Sequence, residues 1–314
     1  MSFVSPDSGI AASIFLGLYT IYTLLCVKIV YHEGWRTIYT FFLIFGVFRL
    51  AGQLSGVAFA SLGIDHWQWL IAYLVFSAEG YFVLILCTLY LTCKAQQEVH
   101  GTSWIKPTKG EVKIRQSKCT NRWKKRLAWF TYARVFHLLL IPANAIIIAG
   151  GTMLTSVNPQ DINTSSKVHT SKALRTAGQA IFLLQTAIAI SAAVFGAMFE
   201  NLWQTVSIKA VFLAAPFVTV RGIFGVMSIY IKSMNYFDIG NYSKDGLTSK
   251  FVIYEYVLAT TMEFIAGVIY VGTYYLERAK RGREGVDKEA ASMKSNVLSA
   301  GATESEITKG QRPE

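Results

Sequence analysis

The sequence predicts an all-α fold, a seven-transmembrane helix bundle with its N-terminus outside and its C-terminus in the cytoplasm. The 314 residues are 53% hydrophobic and 16% charged, and the apolar residues form seven long runs with most of the charges between them. A helix that crosses a bilayer is apolar on all sides for about 20 residues, and in lipid such a run must be helical to satisfy its backbone. The predicted spans are 10–30, 38–62, 67–91, 127–154, 174–199, 207–231 and 251–276.

The loops between the spans indicate the orientation. The segment 94–126 holds ten Lys and Arg residues against two Glu residues, and basic loops of this kind stay in the cytoplasm. Two glycosylation acceptor patterns, which begin at Asn163 and Asn241, fall in loops that the same orientation places outside. We therefore predict glycosylation at both residues, a membrane domain over 1–276, and a disordered cytoplasmic tail over 277–314.

The formal net charge of +11 follows from this topology, so no nucleic-acid partner is predicted. The end of the 94–126 loop interleaves aromatic residues with cations beside a span, and such clusters attract anionic lipids at about 1 kcal/mol per Lys or Arg. The predicted partners are therefore the lipid bilayer itself and anionic lipids at this inner loop. The predicted location is the plasma membrane or another membrane of the secretory pathway, which the protein crosses several times.

The cysteines predict neither a disulfide nor a metal site. None of the four lies in a loop that the predicted topology places outside, and their spacing does not match that of a zinc site. The four residues are Cys26, Cys87, Cys93 and Cys119. No metal and no cofactor are predicted.

Four charged residues lie near the middle of predicted spans. Arg49 and Glu79 belong to the second and third spans, and Arg221 and Glu263 to the sixth and seventh. A lone charge at the bilayer centre costs about 2.5–3.5 kcal/mol on insertion scales, so opposite charges on neighbouring helices are expected to pair inside the bundle. The prediction is two pairs, Arg49–Glu79 and Arg221–Glu263, which form either a binding site or the structural charges of a helix-packing face.

The fourth span carries further polar groups. His137 lies in its inner half, and Pro142 and Asn144 lie near its middle. Proline removes a backbone donor and bends a helix, whereas asparagine can hydrogen-bond across the bundle. His137 is interpreted either as a proton relay or as a packed structural group, and His137 and Asn144 complete the set of candidate binding residues.

One face of the seventh span is polar and aromatic. Spacings of three and four residues place its members on one side of a helix, and that side is expected to face protein or a water-filled cavity. These residues are Tyr256, Thr260, Glu263, Gly267 and Tyr270.

Several short motifs resemble a known family. The second span contains FRLAGQLSG at 48–56, the fifth begins LRTAGQAIFLLQT at 174–186, and the sixth contains APFVTVRGIFGVMS at 215–228. With Glu263, these motifs resemble a family of uncharacterised fungal seven-span membrane proteins over about residues 8–276. That family is distantly similar to the fungal RTA-like lipid-translocating exporters, which share an arginine in the sixth span. The resemblance implies a fungal membrane protein and leaves its activity open.

Three functions fit these observations. The first is a transporter or a translocator of lipids and amphiphiles, because charges inside membranes often mark substrate or proton paths. The second is a receptor-like sensor that signals through the basic inner loop, and the third is a non-catalytic membrane scaffold. We do not expect an enzyme, because the sequence contains no recognisable catalytic triad, metal cluster or phosphate-binding loop.

Overall fold

The computed structural model describes residues 3–117, 131–153, 166–243 and 246–283. The chain is all-α in these residues apart from one two-stranded hairpin, and seven of its helices are long and apolar enough to cross a membrane. The described residues also contain one short helix, α4, which lies in the basic loop. The helices are α1 Pro6–Glu33, α2 Tyr39–Leu62, α3 Gln68–His100, α4 Lys109–Ser117, α5 Tyr132–Met153, α6 Ser166–Phe199, α7 Val206–Tyr230 and α8 Ser249–Arg283.

The predicted spans fall on the seven long helices, but several helices continue past the apolar run. Helix α3 continues about nine residues beyond 91 as far as His100, because the residues that follow the apolar run, KAQQEVH, still favour a helix. It ends at Gly101, whose φ of +71° suits glycine and whose N–H bonds to the carbonyl of Gln97. Hydropathy therefore locates the part of a helix that lies in lipid and not the point where the helix ends.

Helix α3 is central in the bundle. Neighbours along the chain pack against each other in the pairs α1–α2, α2–α3, α5–α6 and α6–α7, and α3 also contacts α5, α6 and α7. Large apolar side chains such as Ile14, Ile21, Leu138 and Leu213 are exposed on the outer helix faces. Such faces suit contact with lipid, and the polar side chains of the spans turn mostly inward.

Helix α8 contains one turn of π-helix, Tyr256–Thr260, in which the N–H of Thr261 bonds to the carbonyl of Tyr256. In a regular α-helix, residues eight apart differ by about 80° around the axis, because each residue turns about 100°. The π turn takes up one extra residue, so Glu255 and Glu263 both face the bundle interior, at 4% and 0% exposure. Single π turns occur often at functional sites.

The segment between α7 and α8 is ordered by hydrogen bonds. It contains the hairpin strands β1 Tyr242–Ser243 and β2 Gly246–Leu247, in which Tyr242 pairs with Leu247. The side-chain nitrogen of Asn241 is buried and donates to the carbonyls of Lys232 and Asn235, at 2.6 and 2.8 Å. The glycosylation predicted at Asn241 stays a prediction. Asn163 lies outside the described residues.

The chain divides into two compact units, residues up to Val271 and residues from Gly272. Helix α8 runs through the boundary. All of the buried polar contacts discussed below belong to the first unit.

Glycine allows α6 to pack closely against α5. A Cβ atom added to Gly178 would lie 2.8 Å from the carbonyl oxygen of Ala143 and 2.3 Å from the Cγ1 atom of Ile147. The first distance is to backbone, which cannot move aside without separating the two helices.

We expect Gly178→Ala to lower the free energy of unfolding by about 1–3 kcal/mol, the usual cost of overpacking a close contact. The measurement is the unfolding of the purified protein in detergent. The control is Gly17→Ala in α1, where an added Cβ meets no atom within 4 Å. Equal stability of the two variants would show that α5 and α6 are not in this contact.

Candidate functional site

One carboxylate in the middle of the bundle binds two guanidinium groups. Glu263 of α8 forms an ion pair with Arg49 of α2, in which Nε and Oε2 are 3.1 Å apart. The other carboxylate oxygen of Glu263 accepts a hydrogen bond from Nε of Arg221 on α7. The three side chains are almost fully buried, Glu263 completely so. We call these three residues the ion cluster.

Neutral groups complete the surroundings of the ion cluster. Arg49 donates to the hydroxyls of Ser77 and Thr260, at 3.1 and 3.3 Å. Its guanidinium also lies 5.6 Å from the ring centre of Tyr19, and that of Arg221 lies 4.9 Å from the ring centre of Tyr81. Hydroxyl acceptors and aromatic faces stabilise a buried cation without adding charge.

Glycine makes room for these long side chains. A Cβ atom at Gly80 of α3 would lie 2.6 Å from Cδ of Arg49, and one at Gly222 of α7 would lie 2.5 Å from the hydroxyl of Tyr81. The absence of a side chain at Gly80 lets Arg49 cross the face of α3 and reach α8, and its absence at Gly222 makes room for Tyr81.

The predicted pair Arg221–Glu263 is present, but the predicted pair Arg49–Glu79 is wrong. Glu79 instead accepts a hydrogen bond from Nδ2 of Asn144 on α5, at 2.5 Å. The reason is the direction in which residues leave α3: Ser77 and Gly80 face Arg49, whereas Glu79 lies on another side of the helix, toward α5. Asn144 thus forms a hydrogen bond inside the bundle, as predicted. Its acceptor is Glu79, the carboxylate that the sequence analysis paired with Arg49.

His137 takes part in a different cluster. Its Nε2 atom lies 2.5 Å from the hydroxyl of Tyr90 on α3, and Nζ of Lys106 lies 4.5 Å from the centre of the Tyr90 ring. These contacts link α5 to α3 and to the segment before α4. The proton-relay interpretation of His137 stays a prediction.

A cavity of about 90 Å³ leads from the surface of the bundle to the ion cluster. Its walls come from the N-terminal parts of α3, α6 and α8, the C-terminal parts of α5 and α7, and residues 236–237. The first residues of the chain lie at this same end, since the N–H of Val4 bonds to the carbonyl of Ala60. Arg221 lines the cavity and also bonds to Glu263, so the cavity ends on the ion cluster.

Sequence reasoning missed two charged residues of the cavity wall, Arg175 and Glu255. Both lie near span ends, where a charge is ordinarily interfacial. Glu255 lies eight residues before Glu263 in the same helix. In a regular α-helix this spacing would place the two side chains on different faces, and only the π turn brings them onto one face. The hydroxyl of Tyr73 donates to Glu255 at 3.0 Å, and Tyr236 provides a second hydrogen bond.

Tyr236 lies in the segment between α7 and α8 and is buried. Burial, and then the nearby charge of Glu255, raise the pKa of Tyr236 well above its usual value. Its hydroxyl therefore keeps its proton at physiological pH and can donate to the carboxylate of Glu255.

On the side of the ion cluster away from the cavity, the described core is filled with aromatic side chains. Below the ion cluster the core contains buried aromatic side chains, with Phe42 stacked on Tyr270 and the Tyr270 hydroxyl 2.8 Å from that of Thr88. Around the start of the basic loop, Glu200 accepts hydrogen bonds from Trp104 and Gln96, at 2.6 and 2.7 Å. The most basic part of that loop, 118–126, lies outside the described residues.

The fold and the buried ion cluster define a class: a seven-span, all-α membrane protein with a charged interior. The chain belongs to the family defined by DUF7702, a domain of unknown function, whose model matches residues 112–278. The match includes Arg221 and Glu263 and leaves Arg49 outside. Comparisons with curated proteins and with solved structures find no match.

We expect Glu263→Gln to lower the free energy of unfolding by about 3–5 kcal/mol, because it leaves two buried guanidinium groups without a counter-charge. The measurement is the unfolding midpoint of the purified protein in detergent. The matched control is Glu79→Gln, which removes the same charge from a carboxylate that contacts an amide. A loss for Glu79→Gln as large as that for Glu263→Gln would contradict the ion cluster.

Proposed function

We propose that the protein translocates an amphiphile across the membrane and that the structure represents a state open at one end. The observation that carries this proposal is the cavity that ends on Arg221, whose guanidinium bonds to Glu263. With the N-terminus outside, as the basic loop and tail favour, the cavity opens on the outer side. The membrane would be the plasma membrane or another membrane of the secretory pathway, and no catalytic step is involved.

The placement of the ion cluster supports a substrate path. Arg221 lies nine residues before the end of α7 at Tyr230, about 14 Å into the bundle at 1.5 Å per residue. That is close to the middle of a hydrocarbon core about 30 Å thick. Intramembrane charges at this depth are costly and often mark transport pathways.

A polar head group in the cavity would meet Arg221 and would compete with Glu263 for its guanidinium. Because Glu263 bonds to both arginines at once, a change at Arg221 is transmitted through Glu263 to α2 and α8. This gives a physical link between occupancy of the cavity and the packing of the helices around it.

Irregular helix segments surround the ion cluster and suit a protein that changes shape. Pro142 lies within α5 and Pro216 within α7, and the π turn of α8 ends three residues before Glu263. Proline and π turns interrupt the regular hydrogen-bond ladder and are common sites of bending. The family that the sequence motifs resemble is expected to be distantly similar to the RTA-like lipid-translocating exporters, and this expectation points the same way.

The test is translocation of a fluorescently labelled single-chain lipid by the purified protein in vesicles. We expect transfer between leaflets above the rate of protein-free vesicles. In Ser228→Phe, whose ring would fill the cavity from α7, transfer should fall at least tenfold.

The matched control is Leu213→Phe, which adds an aromatic ring to an exposed position on the same helix and should leave transfer unchanged. Absence of transfer by the wild-type protein would contradict the proposal. Binding of lipid without transfer would instead favour the sensor that signals through the basic loop.

A further inference from the structure

The cavity wall contains an arginine that differs from the two arginines of the ion cluster. Arg175 of α6 lines the cavity, and its guanidinium carbon lies 4.4 Å from the centre of the Phe237 ring. In the described residues no carboxylate forms an ion pair with it. This distinguishes Arg175 from Arg49 and Arg221, which share Glu263.

The position of Arg175 is fixed by packing. A Cβ atom at Gly150 of α5 would lie 2.9 Å from Cγ of Arg175, so the stem of the side chain lies directly on α5. Ser171, one turn earlier on α6, donates to the carbonyl of Gly150 at 2.6 Å. With α5 on one side and the Phe237 ring on the other, the half-buried side chain is held at the cavity.

The carboxylate in the same wall already accepts hydrogen bonds from the protein. Glu255 accepts hydrogen bonds from the hydroxyls of Tyr73 and Tyr236, so much of its capacity as an acceptor is used. The five NH donors of an arginine, by contrast, have a geometry that matches a carboxylate or a phosphate.

The size of the cavity limits what it can hold. A water molecule needs roughly 10–15 Å³ of such space, so about 90 Å³ holds one small polar group and not a whole lipid. The wall between α3 and α5 is apolar and reaches the exposed residue Thr152, with Ile71, Val75 and Ile148 along it. An alkyl chain attached to the polar group could lie along that wall toward the lipid.

From these observations we infer that the cavity binds the anionic head group of a single-chain amphiphile, a carboxylate or a phosphate, through Arg175. Gln179 and Arg221 border the bound group, and the chain extends between α3 and α5. The inference rests on the proposed function and names its substrate class.

The experiment measures binding to the full-length wild-type protein in zwitterionic nanodiscs. Four probes share an 18-carbon chain and differ in head group: oleate, oleoyl lysophosphatidate, neutral monoolein and the primary amine oleylamine. We expect at least one anionic probe to bind tenfold or more tightly than monoolein and the amine. Oleate and lysophosphatidate together distinguish a carboxylate ligand from a phosphate ligand.

In Arg175→Gln the preference for the anionic probe over monoolein should fall at least tenfold, and Arg175→Lys should keep part of it. The matched control is Lys172→Gln, which removes a cation one turn away on α6 that is exposed and lies outside the cavity; its preference should not change. Unfolding midpoints of all variants show that the protein is folded.

Equal binding of all four probes, tighter binding of the amine, or an unchanged preference in Arg175→Gln would overturn the inference. The results that would refute the proposed function differ from those that would refute this inference. Transfer of lipid without anion preference refutes the head-group assignment alone, whereas anion-selective binding without transfer refutes translocation alone.

Discussion

The interior of this protein depends on one buried carboxylate that neutralises two arginines. Arg49, Arg221 and Glu263 come from α2, α7 and α8, and each charge would be costly if left alone in the bilayer. The cluster therefore fixes the depth and rotation of three helices relative to one another. It also carries one net positive charge, which the rings of Tyr19 and Tyr81 and the hydroxyls of Ser77 and Thr260 help to stabilise.

The architecture follows from the sequence because the bilayer allows few solutions. An apolar run of about 20 residues must be helical in lipid, so hydropathy locates all seven spans. The inward face of α8 is also predictable, since Tyr256, Thr260, Glu263, Gly267 and Tyr270 are all buried. The partner of Glu79 is not predictable in this way. Adjacency of the helices in the chain favours Arg49 as the partner, whereas the rotation of α3 about its axis brings Glu79 to Asn144. That rotation depends on packing at glycines such as Gly80, which a hydropathy pattern does not report.

The candidate site combines predicted and unpredicted residues for the same reason. Arg221 and Glu263 are conspicuous because charges are rare in the middle of an apolar run. Arg175 and Glu255 lie close to span ends and acquire their role only when the segment between α7 and α8 brings Tyr236 and Phe237 over the cavity. The π turn adds the last element, since it rotates Glu255 onto the face of Glu263. Local backbone irregularity of this kind has no clear signature in a single sequence.

The most direct test of the ion cluster is a double-mutant cycle on unfolding free energy with Arg49→Met and Glu263→Gln. We predict a coupling energy of at least about 1 kcal/mol, within the range for residues in one salt-bridge network. The parallel cycle with Arg49→Met and Glu79→Gln should be additive within about 0.5 kcal/mol, as expected for residues that share no partner. Additive behaviour of Arg49 with Glu263, together with coupling of Arg49 to Glu79, would contradict the cluster and restore the pairing that the sequence alone suggests.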